Sequence, residues 1–349
     1  MHKNYDSIYI MKYVILYTSI VAAWFVTVIP ALAHVKWFVN TDAVIEASHN
    51  IPFYNVTSIE VLTWTFVTIL AVLAFGVLDS YIPSPKKLLR FGYHHEKGIV
   101  YTAQAILGLF LITVALIWNI VLIPEIPVHD SLTSILQNIE IVIGVMFLLR
   151  IYPRIASGIL AILWLMIGYM YEPIALLENA MLLSLAVFFF IKNSPSDSWW
   201  NRCDKHAVEI VRIGTAISLI VLAFTEKLMY PELGMAFLQE HHWNFMSGIF
   251  PFFTDTLFVL STGFAELIFG LVFIFGYLTR INTILISVFF ALSVVTMAVQ
   301  FGAWEVEDLV VYSAAILFIF YGHGKTKFFH AWFPGSWIHK RVIGKHNGI

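Results

Sequence analysis

Ten stretches of this chain are apolar for long enough to cross a bilayer or most of one, and charged residues are confined almost entirely to the segments between them. A hydrocarbon core of about 30 Å needs about 20 apolar residues in helical form. The runs fall at 13–33, 57–78, 100–123, 132–149, 155–171, 173–191, 208–225, 255–276, 281–300 and 308–321. Such a pattern excludes a soluble domain: 60% of the 349 residues are hydrophobic and 12% are charged, against about 25% charged in a typical soluble domain. It predicts an all-α integral membrane protein of about ten crossings.

The connecting segments alternate in charge. Basic loops hold Lys86, Lys87, Arg90 and Lys97, then Arg150 and Arg154, then Lys192, Arg202 and Lys205, then Arg280, then the tail with Lys325, Lys327, Lys340 and Arg341. The opposite loops are acidic: Asp42 and Glu46, Glu125 and Asp130, Glu172, Glu232 and Glu240, Glu305 and Glu307. The excess of Lys and Arg places the basic loops and the C-terminus in the cytosol. Residues 1–33 read in two ways, as a first membrane anchor or as a signal peptide cleaved after Ala31-Leu32-Ala33. A net charge of −2 without a basic tract sets nucleic-acid binding aside, and a single cysteine, Cys203, excludes an internal disulfide or a Cys-based zinc cage.

Two glutamates interrupt the apolar runs at mid-depth. Glu140 and Glu266 each stand four residues before a glycine and fourteen before an arginine, Arg154 and Arg280. A carboxylate at that depth costs on the order of 2.5–3.5 kcal/mol on insertion scales, which makes it a functional candidate. The matched spacing predicts a four-helix unit used twice, over 96–192 and 205–322, after an outer segment with one crossing and a basic loop at 34–95, and before a basic tail at 323–349. Glu178 and Glu307 open the fourth helix of each unit, where a helix dipole favours a carboxylate. Fourteen residues of helix span about 21 Å, so Arg154 and Arg280 are expected at the interface as anchors, not as partners of the acids. The second unit adds Glu226, Lys227 and Arg212, candidates for a buried proton or ligand site with Glu140 and Glu266. On the outer side His34, His241 and His242 form a candidate copper site, with the bland alternative of a polar loop.

The second unit resembles the DoxX family of bacterial four-helix membrane proteins. The resemblance rests on Arg212-Ile-Gly, on Thr225-Glu226-Lys227-Leu228 with Pro231, on Gly263-Phe264-Ala265-Glu266-Leu267-Ile268-Phe269-Gly270, and on Gly276-Tyr277-Leu278-Thr279-Arg280. It is weaker over the first unit, which has Trp118-Asn119 in place of the Glu-Lys pair. The resemblance implies tandem four-helix bundles and a partner-dependent subunit of a redox or quinol-linked complex, with membrane or periplasmic redox proteins as partners and a quinone as the implied cofactor. Two other readings stay open: a proton-coupled transporter of a small solute, and a copper-handling protein of the outer face. No nucleotide-binding or hydrolase motif is present, so an autonomous enzyme is not expected.

Overall fold

A computed structural model describes residues 54–82, 85–170, 173–242, 244–301 and 309–324. The first apolar run, His34, Glu307 and the basic tail beyond 324 lie outside these residues. The described chain is built from helices. In order they are α1 (Ile59–Tyr81), α2 (Lys86–His94), α3 (Glu96–Thr113), α4 (Ser131–Leu148), α5 (Pro153–Met170), α6 (Pro173–Glu178), α7 (Ala180–Lys192), α8 (Ala207–Ala223), α9 (Pro231–His241), α10 (Phe245–Ile249), α11 (Asp255–Phe275), α12 (Thr279–Phe301) and α13 (Leu309–Tyr321). Among the described residues, five helices are long and apolar enough to cross a membrane, at Ile59–Tyr81, Glu96–Trp118, Ser131–Leu148, Trp199–Leu228 and Asp255–Phe275. In α5, α7, α12 and α13 the apolar stretch is shorter.

Local chemistry fixes several boundaries. Asp130 starts α4 through a capping box: its carboxylate accepts the Thr133 amide at 2.8 Å while the Thr133 hydroxyl accepts the Asp130 amide at 3.1 Å. The Thr133 amide and the Thr133 hydroxyl both donate to the Asp130 carboxylate, each at 2.8 Å, and hold it below its ordinary range. The apolar run expected as one segment at 173–191 is two helices, α6 and α7, divided at Asn179. Both α3 and α8 end in a five-residue π-turn, Val114–Trp118 and Phe224–Leu228. After the first π-turn, Asn119 takes a left-handed conformation and the chain folds back as a small antiparallel hairpin, Ile120–Val121 with Ile123–Pro127.

Helices α3 to α7 and α8 to α13 make two sets that share several pairwise contacts. In the first set α3 packs on α4, and in the second α8 packs on α11. Each crossing is closed at a glycine four residues after the glutamate. A Cβ on Gly144 would lie 2.7 Å from Ile112 Cγ1 and 2.8 Å from the Gly108 carbonyl oxygen; one on Gly270 would lie 2.5 Å from Ile220 Cγ1 and 3.2 Å from the Ala216 oxygen. The turns that follow also match. Arg150 and Tyr152 are left-handed, as are Gly276 and Leu278, and Ile151 N–H bonds to Met146 O as Tyr277 N–H bonds to Val272 O.

The sets are laced together by exchange. The last helix of each lies on the first helix of the other: α7 packs on α8, where Ser184 fills the space over Gly214, and α13 packs on α3, where the Ser313 hydroxyl donates to Ala103 O at 2.8 Å. At one end Lys192, buried at the close of α7, bridges Glu96 and Asp204, each at 2.5 Å. Helix α1 belongs to neither set and lies along α11. Tyr54 Oη donates to Thr256 O at 3.0 Å, Trp64 stacks on Phe264, Gly76 faces the Tyr277 ring and Asp79 accepts the Leu278 amide at 2.8 Å.

Candidate functional site

The charged centre lies where the α8 π-turn meets α11. An α-helix turns about 100° per residue; the wider π-turn turns less, so neighbouring side chains diverge less. Glu226 and Lys227 are adjacent in sequence, yet both point inward for this reason, 1% and 0% exposed. The Lys227 ammonium meets Glu266 on α11 with Nζ 2.9 Å from Oε1 and 3.0 Å from Oε2, and lies 3.5 Å from Glu226 Oε2. Gly263, one turn before Glu266, makes the room: a Cβ there would lie 2.8 Å from Leu228 Cδ2 and 3.0 Å from Lys227 Cβ. Helix α9 packs against the π-turn and α11, and a satellite cluster of Phe237, Leu238, Met246, Phe258 and Val259 closes the end of the set above the centre. A buried ammonium is tolerated only with its charge matched at hydrogen-bonding distance, and here two carboxylates share one cation. The three side chains are packed together out of solvent, Glu226 1%, Lys227 0% and Glu266 7% exposed.

The matching place in the first set is occupied by other chemistry. Glu140 is fully buried, and its Oε2 accepts the backbone amide of Leu122 at 3.0 Å. The Oε1 atom has no hydrogen-bond partner among the described residues. Leu122 reaches the acid because the chain reverses at Asn119 and Leu122 is itself left-handed, with φ 57°. Where the second set has Lys227 beside Gly263, the first has Asn119 beside Gln137, whose Nε2 donates to Asn119 Oδ1 at 3.0 Å and to Ala115 O at 2.6 Å. One acid therefore faces an ammonium and the other a backbone N–H. Glu140 and Glu266 do not form a shared site: α4 and α11 each pack on the first helix of their own set.

The remaining candidate residues separate from this centre. Arg212 caps α11 at its other end, donating to the Phe273 and Ile274 carbonyls and lying 3.4 Å from Glu209, with Gly276 (φ 73°) leaving space for the guanidinium. Arg280 does the same for α13, donating to Ile319 O at 2.8 Å and Phe320 O at 3.0 Å, while Arg154 stacks 4.6 Å over Phe190 near the end of α7. Both anchors thus tie the third helix of a set to the end of its fourth. Glu178 is buried as the last residue of α6, beside the break at Asn179 and not at an exposed helix start.

His242 is exposed and left-handed just after α9, which ends at His241. His34 lies outside the described residues, and among those described no group of three or more His, Cys, Asp or Glu is placed to hold a metal ion.

Sequence reasoning singled out Glu226, Lys227, Glu140 and Glu266 but missed their immediate company. Gly263 carried a signal, a small residue one helical turn before a buried acid. The Leu122 amide carried a fainter one, an Asn near the end of the apolar run 100–123. Comparison with known protein families, with characterised proteins and with solved structures found no match to this chain.

Proposed function

We propose that the chain is a ten-crossing bacterial inner-membrane protein with a cytosolic C-terminus, built from two copies of a four-helix unit resembling the DoxX family. It serves a redox-linked membrane assembly as a partner-dependent subunit, and Glu226, Lys227 and Glu266 are its proton-handling centre. The observation that carries this reading is the buried Lys227 ammonium held between two carboxylates within apolar helices. Two acids around one cation form a centre that takes up or releases a single proton while the ammonium holds both side chains in place. The redox link comes from the resemblance; the chemistry comes from the centre.

Infrared difference spectroscopy of the protein in bilayers tests it. Stepping the pH should change a protonated-carboxyl band that Glu266→Gln removes and Glu140→Gln leaves. A spectrum unaltered by Glu266→Gln would sink the proposal. A second reading, a proton-coupled transporter, draws support from the helix break at Glu178–Asn179, since discontinuous helices line many transport sites. It is separated by reconstitution: the purified protein alone should then drive solute uptake into liposomes under a proton gradient, with Glu266→Gln abolishing it.

A further inference from the structure

The two helix sets differ in what covers them, and the difference points to a partner. The apolar stretch of α11 is 72% buried, that of α4 only 33%. The exposed residues of α4 are not scattered. Beside Leu132 in the first turn, Ser131, Ile135, Asn138, Val142 and Val145, with Leu149 just past the helix end, recur at alternating spacings of four and three, the seam of a helix that packs lengthwise on another helix. The matching stripe on α11, with Ser261, Phe264 and Ile268 buried at its middle, lies under α1. On α4 the middle of the stripe is a polar residue, Asn138, in place of Phe264. The Asn138 Nδ2 donates to Ser134 O of the same helix at 2.7 Å, and the Oδ1 that remains gains from a donor across a helix interface and gains nothing from lipid.

The turn at the end of the stripe repeats the asymmetry. In the second set the left-handed Leu278 gives its amide to the Asp79 carboxylate of α1. In the first set the left-handed Tyr152 is 70% exposed, and its amide has no partner among the described residues. Two residues before it, where the second set has Gly276, stands exposed Arg150. The position therefore presents an N–H with no partner among the described residues. On the same turn is a cation, Arg150, whose guanidinium lies 5.8 Å over the Tyr101 ring. Together they make a place for a carboxylate, as Asp79 is for Leu278.

We infer that the exposed α4 stripe with the Arg150–Tyr152 turn is the docking surface for a single membrane-crossing helix of another protein. That helix carries an Asp or Glu at the end that meets Arg150 and a hydrogen-bonding side chain opposite Asn138. Interaction of α1 with α11 is the template. A second copy of this chain fits poorly, because a symmetric pairing of two α4 stripes sets Arg150 against Arg150. The inference rests on the partner-dependent reading but fails separately from it: the proton centre is tested at Glu266, the docking surface at α4.

The test places a photo-crosslinking amino acid at Val142 or Tyr152, or at the control position Ile284 on α12, in cells that make the protein. The crosslinked peptide is then identified by mass spectrometry. The expected product, from Val142 and Tyr152 but not Ile284, is a peptide of a different protein. It should include an apolar stretch of at least about 18 residues with an Asp or Glu within a turn of the Tyr152 crosslink. Arg150→Glu should lower its yield at least tenfold and Arg150→Lys should retain most of it, with unchanged thermal unfolding of both variants. Crosslinks only to lipid, to a second copy or to residues 1–53 of the same chain overturn the inference, as does the absence of any product or an Arg150→Glu yield equal to that of the wild type.

Discussion

Lys227 is the residue on which the second set turns. Its ammonium is within hydrogen-bonding distance of both Glu266 oxygens and 3.5 Å from Glu226, with no exposure to solvent. Truncating one member of a buried ion pair leaves an uncompensated charge and typically costs about 3–5 kcal/mol, whereas removing both charges costs far less. Lys227→Met should therefore destabilise the protein by about that amount. Lys227→Met combined with Glu266→Gln should regain at least half of the loss, because only Glu226 then remains charged. Denaturant unfolding of the detergent-solubilised variants measures both. Strict additivity of the two substitutions would mean that the pair is not energetically coupled. At this scale the sequence was informative about charge and silent about partners. A lone acid within an apolar run stands out by its cost in lipid, and Glu226-Lys227 stands out beside Glu266. The Leu122 amide that serves Glu140 does not, since every non-proline residue carries one and only the fold decides which turns inward.

The recurring element is a helix crossing closed on glycine, with Gly144 over Gly108 and Gly270 over Ala216. Close approach there brings each glutamate within reach of the end of the neighbouring helix. A side chain at Gly144 has nowhere to go: its Cβ would press on the Gly108 carbonyl oxygen at 2.8 Å and the Ile112 amide nitrogen at 3.3 Å, both backbone atoms. At Gly158 the nearest atom is Phe190 Cε2 at 3.9 Å. Gly144→Leu should thus cost at least about 1–3 kcal/mol, the range for overpacking. Gly158→Leu should stay within about 0.5 kcal/mol of the wild type, as surface substitutions do. Equal unfolding midpoints for the two variants would show that the crossing is not tight. The glycine four residues after each acid was legible because spacing survives in sequence. The π-turns were not, because one extra residue in an apolar run changes hydrogen bonding from i→i+4 to i→i+5 without changing composition. The break at Asn179 falls at the one polar pair of 173–191, Glu178-Asn179, which reads in sequence as the start of a helix rather than as a division between two.

On the scale of the whole molecule the two sets are held by reciprocal exchange, each lending its last helix to the first helix of the other. Helices apolar on every side give no periodic signal for which face meets which neighbour, so this arrangement could not be drawn from hydropathy, although the matched Glu, Gly and Arg spacings could. The position of α1 along α11 was equally silent, with Gly76 and Asp79 reading as ordinary residues near the end of an apolar run. Exchange has a consequence for autonomy. Parted from its fellow, the first set would expose Ser184 and lose the Asp204 contact of Lys192, while the second would expose Gly214 and leave the Ser313 hydroxyl without Ala103 O. In lipid such small and polar faces are the contacts that hold helices together. Dividing the chain in the loop at 193–198 tests whether they do so here. Fragments 1–195 and 196–349, made together, should purify as one complex that unfolds near the wild-type temperature. Either fragment made alone should aggregate or unfold well below it. A half that holds the wild-type midpoint by itself would mean that the sets are independent domains, with α7 on α8 and α13 on α3 merely adjacent. If the complex forms and the halves fail, the buried acids sit in a framework that neither set can build alone, and loosening the exchange at Gly214 should disturb Glu226 and Lys227, more than three turns further along the chain, and with them Glu266 on α11.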